Sequence, residues 1–400
     1  MRQIFKIFIL SIFFLSVYFF LFWSGIIKYL ALGSSYYFGD YELFKNALSC
    51  VNKGLSPYNG PPELNCKGYN YGYVLLVLMP FKNFIVNTNE FTLPIFLTTI
   101  FIIFSVQILN PKNYFQFFVC LLALLNPATL LLIERMNLDL LLYLIIIILA
   151  FNKIYFLNWL LVAYSFLFKF HPFIYGIIIF VEKEKRKLKN LLLIFFFILM
   201  ISILSIYIYR EEYTLMFVDS GSWKMGLHYL YSIKTIPKIL KESFSFHYGL
   251  MLLIIYILFI FQITKRVSKY EIHSNYDFEK KLFLLSSNSL LFCFITFSNA
   301  FYREVFLVLT IPYLLTNIKD FKYIVYLICF KFLFNFIYTI DLNFETFYHV
   351  DNIRIYKTHF LMIVFLKGII DYILMLFIGS IVLRMNLDLL KKIRKNIVRN

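Results

Sequence analysis

Residues 7–27 read IFILSIFFLSVYFFLFWSGII, an unbroken run without a charge. At about 1.5 Å of rise per residue, a helix over that run covers the roughly 30 Å hydrocarbon core of a bilayer. The run follows Arg2 and Lys6, is too long for the apolar part of a signal peptide, and precedes no small-residue cleavage site. It therefore reads as an uncleaved signal anchor. The rest of the chain repeats the pattern. Of its 400 residues 61% are hydrophobic, 50 are Phe and only 15% are charged, with a mean hydropathy of +0.76. A soluble domain of this length carries far more polar surface, so the chain reads as an all-α polytopic membrane protein. Its apolar runs are too long and continuous for barrel strands, and helices satisfy their own backbone in lipid.

Further apolar runs place spans at about 91–109, 114–132, 138–152, 156–169, 172–181, 191–209, 249–264, 282–297, 304–317, 321–340 and 360–383. With 7–27 that makes about twelve spans in one integral membrane domain, 1–400. The run Tyr73–Phe84 is left out because it is short and contains Pro80 and Lys82. Charge arbitrates. With that run lying in the outer interface, the inward segments are the N-terminus, 110–113, 152–155, 182–190, 265–281, 318–322 and the basic tail 384–400. They hold 22 Lys and Arg against 7 Asp and Glu, while the outer segments and helix ends hold 15 and 14. That bias satisfies the positive-inside rule. The formal charge of +17 then belongs to loops facing anionic lipid, not to nucleic acid, for which no aromatic-basic motif exists.

The outer face receives a juxtamembrane loop 28–90, short junctions at 133–139 and 298–303, a second loop 210–248, and 341–359. In the first loop Gly39-Asp40-Tyr41-Glu42 opens an amphipathic helix to Val51, with Asp40 at the N-cap, Phe44, Leu48, Val51 and Leu55 at helical spacing, and Gly54 at the stop. Such a helix suits the membrane plane. Glu42 points elsewhere, so the two carboxylates do not make a metal-binding pair. Cys120, Cys293 and Cys329 fall inside spans and read as packing residues. Cys50 and Cys66 share the first loop and can bond if that compartment is oxidising, worth about 3 kcal/mol by loop closure.

Four clusters carry chemistry. Asp40 is positioned to serve as a general base. Glu134, Arg135, Asn137 and Asp139 crowd one span junction, where such density demands pairing or water; they read either as an internal salt bridge pinning two helix ends or as a polar wall against substrate. Lys169 and His171 end a span just before Pro172, as snorkelling residues or as a phosphate-binding pair. Tyr302-Arg303-Glu304 reads as a surface ion pair or as an arginine able to grip phosphate through two nitrogens. Lys331, Lys367 and Asp371 lie inside spans and read as isolated packing or snorkelling residues.

The order of these stretches resembles the polyprenol-phosphate-mannose-dependent mannosyltransferase-like family of the glycosyltransferase C superfamily. The stretches are GDYELFKNALSCVNKGLSPY, then YNYGYVLLVLMPF, then ERMNLDLLLYL, LFKFHPF and FYREVFLVLTIPYLL, covering about residues 30–317. The run Glu134-Arg135-Met136-Asn137 is similar to a variant associated with bacterial members. The resemblance implies a GT-C-like fold with the active site on the outer face, and the excess of Phe, Ile, Lys and Asn suggests an AT-rich genome and a bacterial inner membrane. It implies an inverting hexosyl transfer, of mannose or another hexose, from a polyprenyl-phosphate sugar to a glycan or glycolipid acceptor of the cell envelope. No cofactor or metal is expected. Asp40 would take the proton of the acceptor hydroxyl, and Lys169, His171 and Arg303 would hold the phosphate. Glu42, Glu134, Arg135, Asn137, Asp139 and Tyr302 complete the expected substrate-binding set.

Two other classes share such a scaffold. A surface-polysaccharide polymerase or ligase depends on a late outer loop rich in arginine, yet 210–248 contains Arg210 alone. A lipid-linked oligosaccharide transporter predicts internal repeats and charges deep in several spans; no repeat is legible here.

Overall fold

A computed structural model of the chain describes residues 2–31, 37–60, 63, 65–66, 69, 71–168, 171–178, 196, 199–200, 203–204, 206–212, 214–215, 230–233, 254–255, 257–264, 277–296, 299–343, 347–350, 353–356 and 358–398. The described residues form a helical protein. Four helices among them are long and apolar enough to cross a membrane: Gln3–Trp23, Thr92–Leu109, Ile318–Ile340 and Leu361–Leu389. The pair Tyr114–Leu125 and Pro127–Arg135, bent by 42°, makes a fifth if it is one span. The expected spans 191–209 and 249–264 lie partly outside the described residues.

The first helix, α1 (Arg2–Trp23), begins earlier and stops sooner than the apolar run suggests. Gly25, at φ +73°, takes the left-handed conformation that ends helices, and the chain resumes as α2 (Ile26–Ala31). Next comes α3 (Gly39–Asn52). Its apolar spacing faces protein, since Phe44, Ala47 and Leu48 are buried; packing accounts for the amphipathic pattern that suggested a helix lying on lipid. The run after it is interrupted, as Pro80 and Lys82 suggested, into α4 (Tyr73–Leu78) and α5 (Lys82–Asn87), each far too short to span.

After α6 (Thr92–Leu109) come α7 (Tyr114–Leu125) and α8 (Pro127–Arg135). The expected single span 114–132 breaks at Asn126-Pro127, because proline has no N–H to continue the ladder. The carbonyls freed by the break find other donors: the Thr129 hydroxyl donates to Ala123 O at 2.9 Å, and the Tyr18 hydroxyl of α1 donates to Leu124 O. Then follow α9 (Asp139–Phe151) and α10 (Tyr155–Phe168), of 13 and 14 residues. A helix of that length reaches only about 20 Å, less than a straight crossing needs.

Later come α11 (Phe278–Thr296), a 3-10 helix (Phe301–Thr310), α12 (Ile311–Thr316) and α13 (Ile318–Asn343). The last helix, α14 (Thr358–Val398), runs through what the sequence suggested was a separate basic tail after residue 383. Two short antiparallel pairs are also present: β1 (Leu230–Tyr231) with β2 (Asn299–Ala300), and the hairpin β3 (Phe347–Val350) with β4 (Ile353–Tyr356).

The packing sorts the loops. Ser56, in the loop after α3, donates to Glu212 at 2.8 Å, the Tyr73 and Tyr209 rings lie 5.0 Å apart, and β1 pairs with β2. The described parts of 28–90, 210–248 and 298–303 therefore meet. Elsewhere, Lys6 donates to Pro111 O, and the Phe151 and Phe278 rings lie 6.1 Å apart.

Candidate functional site

Cys50 and Cys66 form a disulfide that ties the end of α3 to the loop preceding α4. Gly60 makes room for it: a Cβ there would lie 2.4 Å from the Cys66 Cβ and 2.6 Å from Ser56 O. The loop then threads an aromatic stack onto α3, with Tyr69 packed between Tyr58 and Tyr71 at 5.8 and 5.5 Å between centroids. The Tyr58 hydroxyl donates to Tyr71 O at 2.7 Å, which fixes where the Tyr71 side chain emerges.

Two backbone reversals bring the polar residues together. Phe38, just before α3, has φ 58°, and Met136, just after α8, has φ 50°. Neither is glycine, so each holds a conformation costing about 1 kcal/mol or more. The Phe38 N–H donates to Glu134 O at 2.7 Å, joining the two turns. At Met136 the chain folds back so that Asn137 N–H reaches Leu132 O at 3.1 Å, a helix ending of the kind glycine usually serves. That reversal lets Arg135 and Asn137, on either side of Met136, both face Asp40.

Asp40 is not the N-cap of α3; Phe38 is, with no side-chain cap bond. The Asp40 carboxylate instead faces across to the α8–α9 junction. Its Oδ1 accepts from Arg135 Nε at 3.0 Å and from Nη2, and its Oδ2 accepts from Asn137 Nδ2. The same Asn137 nitrogen lies 2.8 Å from the Tyr71 hydroxyl and 3.0 Å from the Tyr302 hydroxyl. Asn137 Oδ1 accepts from Asp139 N at 3.0 Å, which orients the amide and starts α9. Asp139 in turn accepts from Arg303 Nε at 3.2 Å. The centre is nearly sealed: Asp139 and Glu134 are wholly buried, while the Asp40 and Arg135 side chains keep 12% and 26% of their surface.

The two phenols stay protonated near neutrality. Burial, then the Asp40 carboxylate, pushes Tyr71 well above the usual phenol range, and burial followed by Asp139 raises Tyr302. They act as hydroxyl groups rather than as bases. Glu134 is different. Both its carboxylate oxygens are buried without a hydrogen-bond partner among the described residues, a state that calls for an explanation in a native site.

Of the expected site residues, the structure brings together Asp40, Glu134, Arg135, Asn137, Asp139, Tyr302 and Arg303. Glu42 is half-buried, and its side chain bonds no described residue. Lys169 lies outside the described residues, and of His171 only the backbone is described, in the 3-10 turn His171–Gly176. The expected Arg303–Glu304 surface pair does not form, because the two side chains leave the 3-10 helix in different directions. Tyr71 was missed by residue-level reading; the aromatic-glycine run Tyr69–Tyr73 was its only signal. No group of three or more His, Cys, Asp or Glu among the described residues is arranged to hold a metal ion. Family models, curated proteins and solved structures yield no match to this chain.

Below the site lies a second polar group, joining Glu304 to the three residues, Lys331, Lys367 and Asp371, that the sequence left as isolated. Lys331 of α13 lies 3.2 Å from Glu304 and 2.6 Å from Asp371 of α14, and Lys367 lies 2.8 Å and 2.9 Å from the same two carboxylates. All four are buried. Snorkelling is thus replaced by mutual neutralisation, the arrangement that burial of charge requires.

Proposed function

We propose that the chain is an integral membrane glycosyltransferase. It moves a hexose, mannose or a relative, from a polyprenyl-phosphate donor to a glycan or lipid-linked acceptor, with inversion, on the outer face of a bacterial inner membrane. The proposed architecture is GT-C-like with about twelve spans. The observation that carries the reading is the Asp40 carboxylate, held by Arg135 and Asn137 at a nearly sealed junction ringed by the Tyr71 and Tyr302 hydroxyls.

The chemistry runs as follows. The acceptor hydroxyl attacks the anomeric carbon while Asp40, in its carboxylate form, takes the hydroxyl proton. The bond from the anomeric carbon to the phosphate oxygen breaks, and the electron pair leaves with polyprenyl phosphate. Arg303 is committed to Asp139, so Arg135, the more exposed arginine, is the better partner for that phosphate. Phosphate drawing the guanidinium toward itself would release Asp40 Oδ1 to the acceptor. Glu134 would accept from a sugar hydroxyl. No cofactor or metal takes part in this scheme.

The Cys50–Cys66 disulfide supports the outward orientation, since such bonds persist in oxidising compartments. One observation favours a lipid-linked oligosaccharide transporter instead, the buried charges of α13 and α14. Each of those charges, however, already faces an opposite one within 3.2 Å. The deciding experiment offers purified protein in lipid nanodiscs a panel of radiolabelled polyprenyl-phosphate sugars with a short-chain acceptor. Label moving to the acceptor supports the proposal. In a second arm with the protein in sealed liposomes, label crossing the bilayer unchanged would favour transport.

A further inference from the structure

Tyr302, Arg303 and Glu304 are consecutive, yet each engages a different part of the molecule. Tyr302 reaches Asn137, Arg303 reaches Asp139, and Glu304 reaches the lysines of α13 and α14. Their backbone is a 3-10 helix of ten residues, much longer than the usual single turn of that conformation. At three residues per turn successive side chains diverge by about 120°, so a residue cannot shift without turning its neighbours. The same carboxylate has a further contact. Asn335 Nδ2 of α13 donates to Glu304 Oε2 at 2.9 Å and to Asn126 Oδ1 at 2.9 Å. Asn126 is the N-cap of α8, the helix that ends in Glu134 and Arg135. One buried network therefore holds both strands of chain that build the site.

We infer that Glu304 is a positioning residue: the Glu304–Lys331–Lys367–Asp371 group, with Asn335 and Asn126, sets where Tyr302 and Arg303 stand relative to Asp40. Apolar side chains would fill that volume without burying four charges, a replacement that often leaves stability unharmed. Apolar contacts, however, would let the 3-10 helix slide or rotate, whereas a carboxylate shared between two lysines and an amide fixes it in all directions. The site's geometry is thus set from inside the membrane helices.

The test reads the site directly and rests on the transferase reading only for its activity arm. A single 3-fluorotyrosine is introduced at position 302, and its fluorine resonance is recorded in nanodiscs for the otherwise native protein. The spectrum is then recorded for Glu304→Ala combined with Lys331→Met, which removes one charge of each sign. The expected result is a monodisperse protein whose resonance at 302 is shifted and broadened, with kcat for sugar transfer at least tenfold lower and donor KM within threefold. Lys319→Met, on an exposed helix start, should leave the resonance unmoved. A folded double variant with an unchanged resonance at 302 overturns the inference and leaves the charge group a packing feature. If that variant is not monodisperse, Lys367→Met with Asp371→Asn, which also balances charge, is read by the same criterion. Absence of any transfer by the native protein counts against the transferase reading alone, because the resonance still decides the positioning.

Discussion

Arg303 donates to Asp139, 164 residues earlier in the chain, at 3.2 Å, and not to the adjacent Glu304. The pairing joins the 3-10 helix to the start of α9 and closes one side of the polar centre around Asn137. Its counterpart on the other side is Arg135 with Asp40. The centre is thus bounded by two arginine–carboxylate pairs, each linking segments distant in sequence, with one amide between them.

Asp40→Asn keeps the size of the side chain and its capacity to accept from Arg135. The variant should insert and purify like the native protein but lose sugar transfer by about 10²–10⁴-fold, the range for removing a general base. Initial rates with a polyprenyl-phosphate sugar check this. Transfer at the native rate would remove Asp40 from the mechanism.

Arg135→Gln removes two charge-assisted bonds from Asp40. Such bonds contribute about 2 kcal/mol, so thermal unfolding in detergent should move down by a few degrees. On the proposed mechanism donor KM should rise more than acceptor KM. An equal rise for both would assign Arg135 a purely structural part.

The first loop was largely legible because its signals are local. Gly39 and Gly54 bracket a helix whose apolar spacing is regular, and two cysteines lie in a single polar segment. The break at Asn126-Pro127 was a local signal too, but the continuous apolar run on both sides concealed it. Long-range pairing was not legible. Lys331, Lys367 and Asp371 read in sequence as isolated residues and Glu304 as a partner of Arg303, and only the packing of α13, α14 and the 3-10 helix turns them into one group. Tyr71 escaped for a similar reason: nothing in an aromatic run tells which ring turns toward a carboxylate.

The disulfide gives a mass signature. Denaturing alkylation without reductant should add three adducts, at Cys120, Cys293 and Cys329, and reduction first should add five. Cys66→Ser should lower stability by about 3 kcal/mol. Gly60→Ala should mimic part of that loss, since its Cβ would meet the Cys66 Cβ at 2.4 Å and backbone at Ser56; a cost of about 1–3 kcal/mol follows from overpacking. Five adducts without reductant would show the bond absent.

Orientation is read by labelling. Glu63 and Lys391 are both exposed, on segments assigned to opposite faces. In spheroplasts of cells making the single variants, an impermeant maleimide should label Glu63→Cys, and should label Lys391→Cys only after permeabilisation. The reverse pattern would place Asp40 on the cytosolic side and end the proposal of an outward site.

The four charges below the site also bear on how the chain enters its membrane. Synthesis delivers Glu304 and Lys331 first, and these two lie 3.2 Å apart in the folded protein, a neutral couple. Lys367 and Asp371 arrive later, one helical turn apart on α14 and joined at 2.9 Å, so they too insert without net charge. If these pairs form as the segments enter, each step adds a balanced pair rather than a lone ion, and a nascent chain halted after Asn343 should already resist carbonate extraction.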